Sequence, residues 1–538
     1  MNETELDRRH FLSMTAASAV AVPWPALASA DTSARKPVLR ANAAGPYELV
    51  IANGRVIDPE TGLDAVRNVG IKNGRIAAIA TKPLTGATVI DAKGLVVAPG
   101  FIDLHAHGQE LPAARMKAFD GVTTALELES GLLPVATFYE LVAKEGRPIN
   151  YGCSSSWTFA RIAVKESSQP DGTLQYFQKA FSQHDWQESL ASEAEVARIV
   201  TFVEAGLKQG GIGVGINAGY APGYGRKEYY ALAALAARYG VPTFTHVRYV
   251  SVLEPQSNFE AIGELISLAA TTGTHMHLCH LNSTSERDIV ACAELVRGAQ
   301  ARGLRVTTEA YPYGASSTAI GAEAFRGPDW MARRGVSSPS SLELNGQRLT
   351  QAKIDELQKS APGTIIVFHF LEPEQTPSDQ TLLDVSLLYP GSAIASDAMP
   401  WLDAKGNLVE GDVWPLPSDV FAHPRSAGCF CRFVRQYVRE RNKLTLVEAM
   451  RKTSLIPAQI LGESVPQMRG KGRLQVGMDA DIVVFDLDRI SDRATYTQPA
   501  QTSAGVHHLI VNGGFAIRDQ QLFRSALHGR PVRRPLQA

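Results

Sequence analysis

The chain has 538 residues, with 53 Lys and Arg against 54 Asp and Glu and a formal net charge of −1. That balance gives a nucleic acid or a charged membrane surface nothing to hold, and 45% hydrophobic residues with no low-complexity tract describe a compact globular chain. The length accommodates one large catalytic domain and something smaller.

The first thirty residues stand apart. Arg8-Arg9-His10-Phe11-Leu12 precede a mildly apolar stretch from Ser13 to Val22, and Ala26-Leu27-Ala28-Ser29-Ala30 follows. Paired arginines, a short apolar region and an Ala-x-Ala end predict a twin-arginine export signal over residues 1–30, and with it a periplasmic or secreted protein. The apolar stretch is too short to span a bilayer stably, so no membrane span is expected once the signal is removed. Five cysteines, at 153, 279, 292, 429 and 431, include no Cys-x-x-Cys pair and form no dense disulfide framework. They read as structural or free thiols, and a metal site has to be built from other residues.

Residues 31–97 carry short β-type runs, Glu48 to Ile57 and Asn68 to Ile76, each interrupted by Asn-Gly, a strong hairpin signal. Ala480 to Asp486 and Leu509 to Gly513 have the same character. The two ends therefore pair into one small β-sandwich domain made from 31–97 and 466–538. Between them, over 98–465, short apolar strands alternate with helical stretches such as Lys227 to Tyr239 and Ser285 to Gly303. Candidate strands are 99–104, 121–129, 149–153, 211–216, 242–246, 274–280, 304–309 and 392–397, with Thr364 to His369 as a ninth candidate. The alternation indicates parallel β/α units, and eight of them an α/β fold of the (β/α)8 TIM-like barrel type. Residues 165 to 195, rich in Gln and Ser, read as an insertion over one rim.

In such barrels the chemistry sits at the carboxyl ends of the strands. The first candidate strand ends in His105 and His107, two residues apart and so on one face. Glu127 and Glu129 share a face of the second, and His246, His280 and Asp397 close the fifth, sixth and eighth. Histidines and carboxylates gathered at one rim make a nitrogen–oxygen site suited to Zn²⁺ or a similar divalent ion. His275 and His277 begin or interrupt their strand and read as packing residues.

Ala98-Pro99-Gly100-Phe101-Ile102-Asp103-Leu104-His105-Ala106-His107, Thr245-His246-Val247-Arg248, Cys279-His280-Leu281, Tyr311-Pro312-Tyr313, Ser396-Asp397 and His423-Pro424-Arg425 are the motifs on which the chain resembles the amidohydrolase superfamily. The Tyr-Pro-Tyr and His-Pro-Arg segments narrow the resemblance to the N-acyl-D-amino-acid deacylases. It extends over nearly all of residues 47 to 532. It implies one or two zinc or similar ions, hydrolysis of a small N-acyl amino acid by metal-activated water, and Asp397 as acid and base. It further implies substrate contacts from Arg425, which grips the free carboxylate, and from Tyr311 and Ser317. Arg248 is either another anion clamp or a rim salt bridge.

Two departures from the family pattern matter. A metal-binding cysteine expected after strand two is replaced near Ser130, so Glu129 or Glu127 supplies the anion, with Glu129 favoured as nearer the rim. If that glutamate bridges, two metals fit; strand four offers no lysine at Gly213 to Asn217 for a carboxylated-lysine bridge. Asn282 stands where the pattern places a substrate-contacting lysine. The expected reaction is cleavage of N-acyl amino acids, the D form by resemblance, with N-acyl-D-glutamate as a narrower version. A dipeptidase or another hydrolase of carboxylate-bearing amides, a hydantoinase- or dihydroorotase-like cyclic amide hydrolase, and a non-catalytic binding protein on the same scaffold remain as alternatives.

Overall fold

The computed structural model describes residues 47–537; the arginine pair and its apolar stretch lie outside them. The chain opens with five strands: β1 (Tyr47–Asp58), β2 (Leu63–Lys72), β3 (Arg75–Ala80), β4 (Gly86–Asp91) and β5 (Val96–Pro99). One edge of β1 pairs antiparallel with β2, while the other takes β4 along Tyr47 to Ala52 and β5 at Arg55 and Val56. The three Asn-Gly pairs of this sheet behave differently. Asn73-Gly74 and Asn512-Gly513 both have positive φ and turn hairpins. Asn53-Gly54 instead sits inside β1 as a register-shifting bulge, because the alternation continues beyond it into Val56 and Ile57. A side chain at Gly54 would meet Val97 at 2.3 Å.

The barrel follows: β6 (Phe101–Asp103), β7 (Val122–Leu132), β8 (Asn150–Ser156), β9 (Val214–Asn217), β10 (Thr243–His246), β11 (Met276–Leu278) and β12 (Val306–Ala310), parallel neighbours in chain order. The chain then leaves the barrel for a four-stranded antiparallel sheet of β13 (Ala315–Ala319), β14 (Leu342–Leu344), β15 (Gln347–Arg348) and β16 (Ile365–His369), and returns through β17 (Ala393–Ile394) beside β12. The ninth candidate, Thr364 to His369, is thus β16. It is as apolar as a barrel strand because both its faces are buried, but it pairs antiparallel with β13 and β14. The barrel closes at its carboxyl rim, where the His107 amide donates to the Ala398 carbonyl at 2.8 Å. The last strands, β18 (Ile482–Phe485), β19 (Val506–Val511), β20 (Gly514–Arg518) and β21 (Gln521–Leu522), extend the first sheet to nine through β18 against β5. Leu49, Ile51, Val69, Ile482 and Ile510 form the apolar interior of that sheet.

Helices between barrel strands have explicit ends. Capping boxes at Ser192 and Ser257 satisfy the first amides of helices Glu193–Lys208 and Asn258–Thr272. Gly240 and Gly273, with φ of 61° and 70°, end two helices in the left-handed conformation. The stretch predicted as helical from Ser285 to Gly303 begins regular helix only at Ile289, after a turn in which Glu286 has a φ of 50°. The insertion at 165–195 forms two short helices, Leu174–Ala180 and Asp185–Glu188, and Phe177 and Phe181 reach over the barrel mouth. All five cysteines are buried and unpaired. No helix among the described residues is long and apolar enough to cross a membrane.

Candidate metal centre

The strand ends bring His105, His107, Glu129, His246, His280 and Asp397 together at the barrel mouth. Glu129 occupies the middle. Its Oε2 lies 3.4 Å from His105 Nε2 and 3.5 Å from His107 Nε2; its Oε1 lies 3.2 Å from His246 Nδ1 and 2.9 Å from His280 Nε2. One carboxylate therefore faces two histidine pairs, one with each oxygen. Asp397 stands on the other side of the first pair, its Oδ1 3.3 Å from both His105 Nε2 and His107 Nε2.

The outward nitrogens decide what the inward ones offer. His105 Nδ1 donates to Glu309 at 2.6 Å and His107 Nδ1 to Glu127 at 2.9 Å. The Thr284 hydroxyl donates to the Cys279 carbonyl, so it accepts from His280 Nδ1 at 3.0 Å. Each neutral ring then presents a bare Nε2 lone pair to the centre. His105 and His107 point theirs at each other across 3.1 Å, and His280 points its own at a carboxylate oxygen. Acceptors facing acceptors at these distances form a donor set arranged around a cation, with second partners that fix each ring. The field agrees: despite burial, Glu127 and Asp397 favour positive charge at His107. His105, His107, Glu129, His246, His280 and Asp397 fit a divalent ion by ligand type, and the shared Glu129 fits two.

Two of these residues occupy strained backbone. His280 has a φ of 33° and Asp397 a φ of 50°, left-handed values that cost a non-glycine residue energy and persist only where the surroundings enforce them. For Asp397 the enforcing group is buried. Asp103 accepts the Ser396 amide at 2.9 Å and the Ser396 hydroxyl, and Lys117 Nζ donates to Asp103 at 2.8 Å. Lys117→Met would strip a buried carboxylate of its cation, so it should cost about 3–5 kcal/mol of stability, measured by urea unfolding, and lower activity through Asp397.

The cleft above the centre encloses about 880 Å³, mouth included, and its wall contains His107, Glu129, His246, His280 and Asp397. Gly219 is required there, since a side chain would meet the His246 ring at 2.6 Å.

The sequence matches the amidohydrolase family over residues 88–161 and 154–517. The chain belongs to the amidohydrolase family. It is 28% identical to an N-acyl-D-glutamate deacylase of Alcaligenes xylosoxydans xylosoxydans, over 87% of this chain and 93% of the relative. It is 26% identical to a D-aminoacylase of the same organism, over 91% and 98%. The crystal structure of an N-acyl-D-glutamate deacylase from Bordetella bronchiseptica, complexed with zinc and a phosphonate inhibitor, superposes with a TM-score of 0.70 at 22% identity, covering 91% of this chain and all of that one.

Several site residues of this amidohydrolase fall elsewhere than the sequence suggests. Glu127 does not join the central cluster: it takes the rear nitrogen of His107 and accepts the Ser130 amide, because its position on β7 lies deeper than Glu129. Arg248 is a structural ion pair. It holds Glu264 at 2.9 Å, donates to the Pro222 and Tyr224 carbonyls and stacks on the Tyr224 ring. Asn282 faces away from the cleft, donating to the carbonyls of Tyr311 and Tyr313 and so bracing that loop. Ser317 is on the cleft wall, with its hydroxyl donated to Ile366. Arg425 is wholly buried behind Asp397, 2.8 Å from its Oδ2, and covers the Tyr311 ring at 4.5 Å. Burial would raise the Asp397 pKa, but Arg425 and His105 hold it well below the usual carboxylate range.

Sequence reasoning passed over three participants. Glu309 ends β12 and orients His105; reading every strand end for carboxylates would have found it. Asn217, at the end of β9, donates to Glu129 Oε2 at 2.7 Å. Arg334 lies on the cleft wall, paired with Glu286 at 2.5 Å; nothing local in the sequence marks it.

Proposed function

We propose that this protein is a metal-dependent deacylase that hydrolyses the amide bond of N-acyl amino acids, with the D forms preferred. The observation that carries the reading is the Glu129 carboxylate set between two histidine pairs with Asp397 opposite, at the floor of a cleft. Two of its relatives, an N-acyl-D-glutamate deacylase and a D-aminoacylase, support the reaction class and the preference for D forms.

A bound divalent ion supplies water acidified toward a pKa of about 7 and a Lewis acid for the carbonyl oxygen; zinc suits the ligands. Asp397 Oδ1 takes the proton of the attacking water and returns it to the leaving nitrogen. The substrate's free carboxylate is assigned to Arg425, supported by unpartnered donors: Arg425 Nε and Nη1 and the Tyr311 hydroxyl are buried without hydrogen-bond acceptors. Buried donors of this kind are costly unless a ligand or water completes them. Pairing with a carboxylate also fixes which amide is presented to Asp397.

The cleft wall favours an uncharged, apolar side chain on the substrate. Phe177, Phe181, Ala319, Ala322, Phe325 and Ile365 line it, and its guanidinium, Arg334, is already answered by Glu286. We further propose export through the twin-arginine pathway, on the strength of Arg8-Arg9 and the Ala-x-Ala end.

The test is hydrolysis of paired N-acetyl-D- and N-acetyl-L-amino acids, neutral and acidic, by the zinc-loaded protein. Release of D-amino acid with neutral side chains ahead of acidic ones is expected. Higher kcat/KM for N-acetyl-D-glutamate would transfer the specificity to an acidic side chain met by Arg334. No hydrolysis of any N-acyl amino acid, with metal bound, would move the assignment to dipeptides and other carboxylate-bearing amides.

A further inference from the structure

Behind His105 a line of polar side chains descends through the barrel, away from the cleft. Glu309 accepts from His105 with Oε1, and its Oε2 lies 3.2 Å from His277 Nε2. His277 Nδ1 lies 2.9 Å from the Thr307 hydroxyl, and that hydroxyl lies 2.7 Å from His275 Nε2. Glu309 and His277 are almost wholly buried. His275 is partly exposed on a separate surface pocket beside Arg305, at the amino ends of β11 and β12. The histidines expected to be packing residues are therefore linked to a metal-site ring.

The hydrogen bonds admit a definite pattern. Glu309 meets one ring nitrogen with each of its oxygens, and a carboxylate in that position only accepts. Both ring nitrogens touching it must donate. With His277 neutral, its Nδ1 accepts from Thr307, and the Thr307 oxygen in turn accepts from His275 Nε2–H; burial holds the His275 pKa down at about 3, keeping that ring neutral too. Each donor has one acceptor, and the last link fixes Nδ1–H on His105.

We propose that His277 is a positioning residue for the metal centre, acting through Glu309 to lock His105 in the tautomer whose Nε2 lone pair faces the ligand cluster. The inference rests on the metal-centre reading above. Without the His277 donor, Glu309 keeps one buried oxygen unanswered. It can then rotate, and His105 is free to turn or to move its hydrogen to Nε2, where it blocks a ligand position. The penalty appears in metal affinity rather than in the chemistry of the loaded centre, since His277 touches neither the cluster nor the cleft.

The experiment is zinc affinity by competition with a chromogenic chelator, on the full chain, for wild type, His277→Phe, His277→Gln and Thr307→Val. Melting of the metal-free proteins is followed alongside. His277→Phe should weaken zinc binding by about 10–100-fold, the range for losing an outer partner of a metal-bound histidine. His277→Gln, whose amide can still donate to Glu309, should recover most of that loss, and saturating zinc should restore kcat in both. Thr307→Val, at a partly exposed position, should show a smaller loss and reads the same chain if His277→Phe fails to fold. Wild-type affinity in His277→Phe, or in Thr307→Val where the former does not fold, overturns the proposal, as does an equal loss in His277→Phe and His277→Gln. Failure of wild type to bind zinc would overturn the metal-centre reading and this inference with it.

Discussion

Glu129→Gln should give a folded protein that no longer retains zinc. The carboxylate is the anion common to both histidine pairs, so its neutralisation removes a ligand from each half of the cluster at once. The affinity loss should exceed the roughly 10–100-fold typical of outer partners, and hydrolysis should fall with it. The fold should survive for a specific reason: a carboxamide is isosteric, and its NH₂ can donate to the His280 lone pair that the carboxylate oxygen only opposes. The metal-free Glu129→Gln chain is thus expected to melt no lower than metal-free wild type, since a buried charge has been removed. Zinc content after dialysis, with melting of the stripped proteins, checks both halves. Retained zinc at full stoichiometry would show that Glu129 is not the shared ligand.

Asp397→Asn should separate metal binding from proton transfer. Asn is among the few residues that tolerate the left-handed conformation Asp397 adopts, so the rim should keep its shape. What disappears is the acceptor for the proton of water and its donor to the leaving amine, worth about 10²–10⁴ in kcat. The Glu129, His246 and His280 half of the cluster should still bind zinc. Arg425 loses its anionic partner, so a substrate carboxylate should bind at least as tightly as before. A large fall in kcat with KM unchanged or lower is the expected signature. A rise in KM with kcat preserved would assign Asp397 to binding instead.

Much of the architecture was readable because it rests on local pattern. Short apolar strands alternating with capped helices specify parallel β/α units, and polar residues at strand ends specify the rim, which is how His105, His107, His246, His280 and Asp397 were found together. Position along β7 favoured Glu129 over Glu127, but only the contacts of Glu127 with His107 and the Ser130 amide separate the two. The remainder depended on what each side chain meets across the fold. Arg248 reads equally as an anion clamp or a rim salt bridge until Glu264, on the next helix, is seen to hold it. Asn282 reads as a substrate contact until two carbonyls from the Tyr-Pro-Tyr loop claim its amide. Thr364 to His369 has the composition of a barrel strand because burial on both faces, not barrel membership, is what its residues record. His277 looked like packing because its carboxylate partner lies on a neighbouring strand thirty-two residues away.

The β18–β5 pairing sets a timetable for folding. Val96–Pro99 is complete early in synthesis, yet the strand that covers its open edge arrives roughly 390 residues later, about twenty to eighty seconds at ordinary ribosomal speeds. Asp481 then accepts the Gly100 amide at the root of β6 and takes the Asn150 side chain at 2.9 Å. The first barrel strand is therefore anchored by nearly the last segment translated. Until that segment emerges, the edge of β5 that leads into the first barrel strand stays unpaired. Assembly of a metal centre on that strand is therefore expected only after release from the ribosome, once the strand has been anchored at its root.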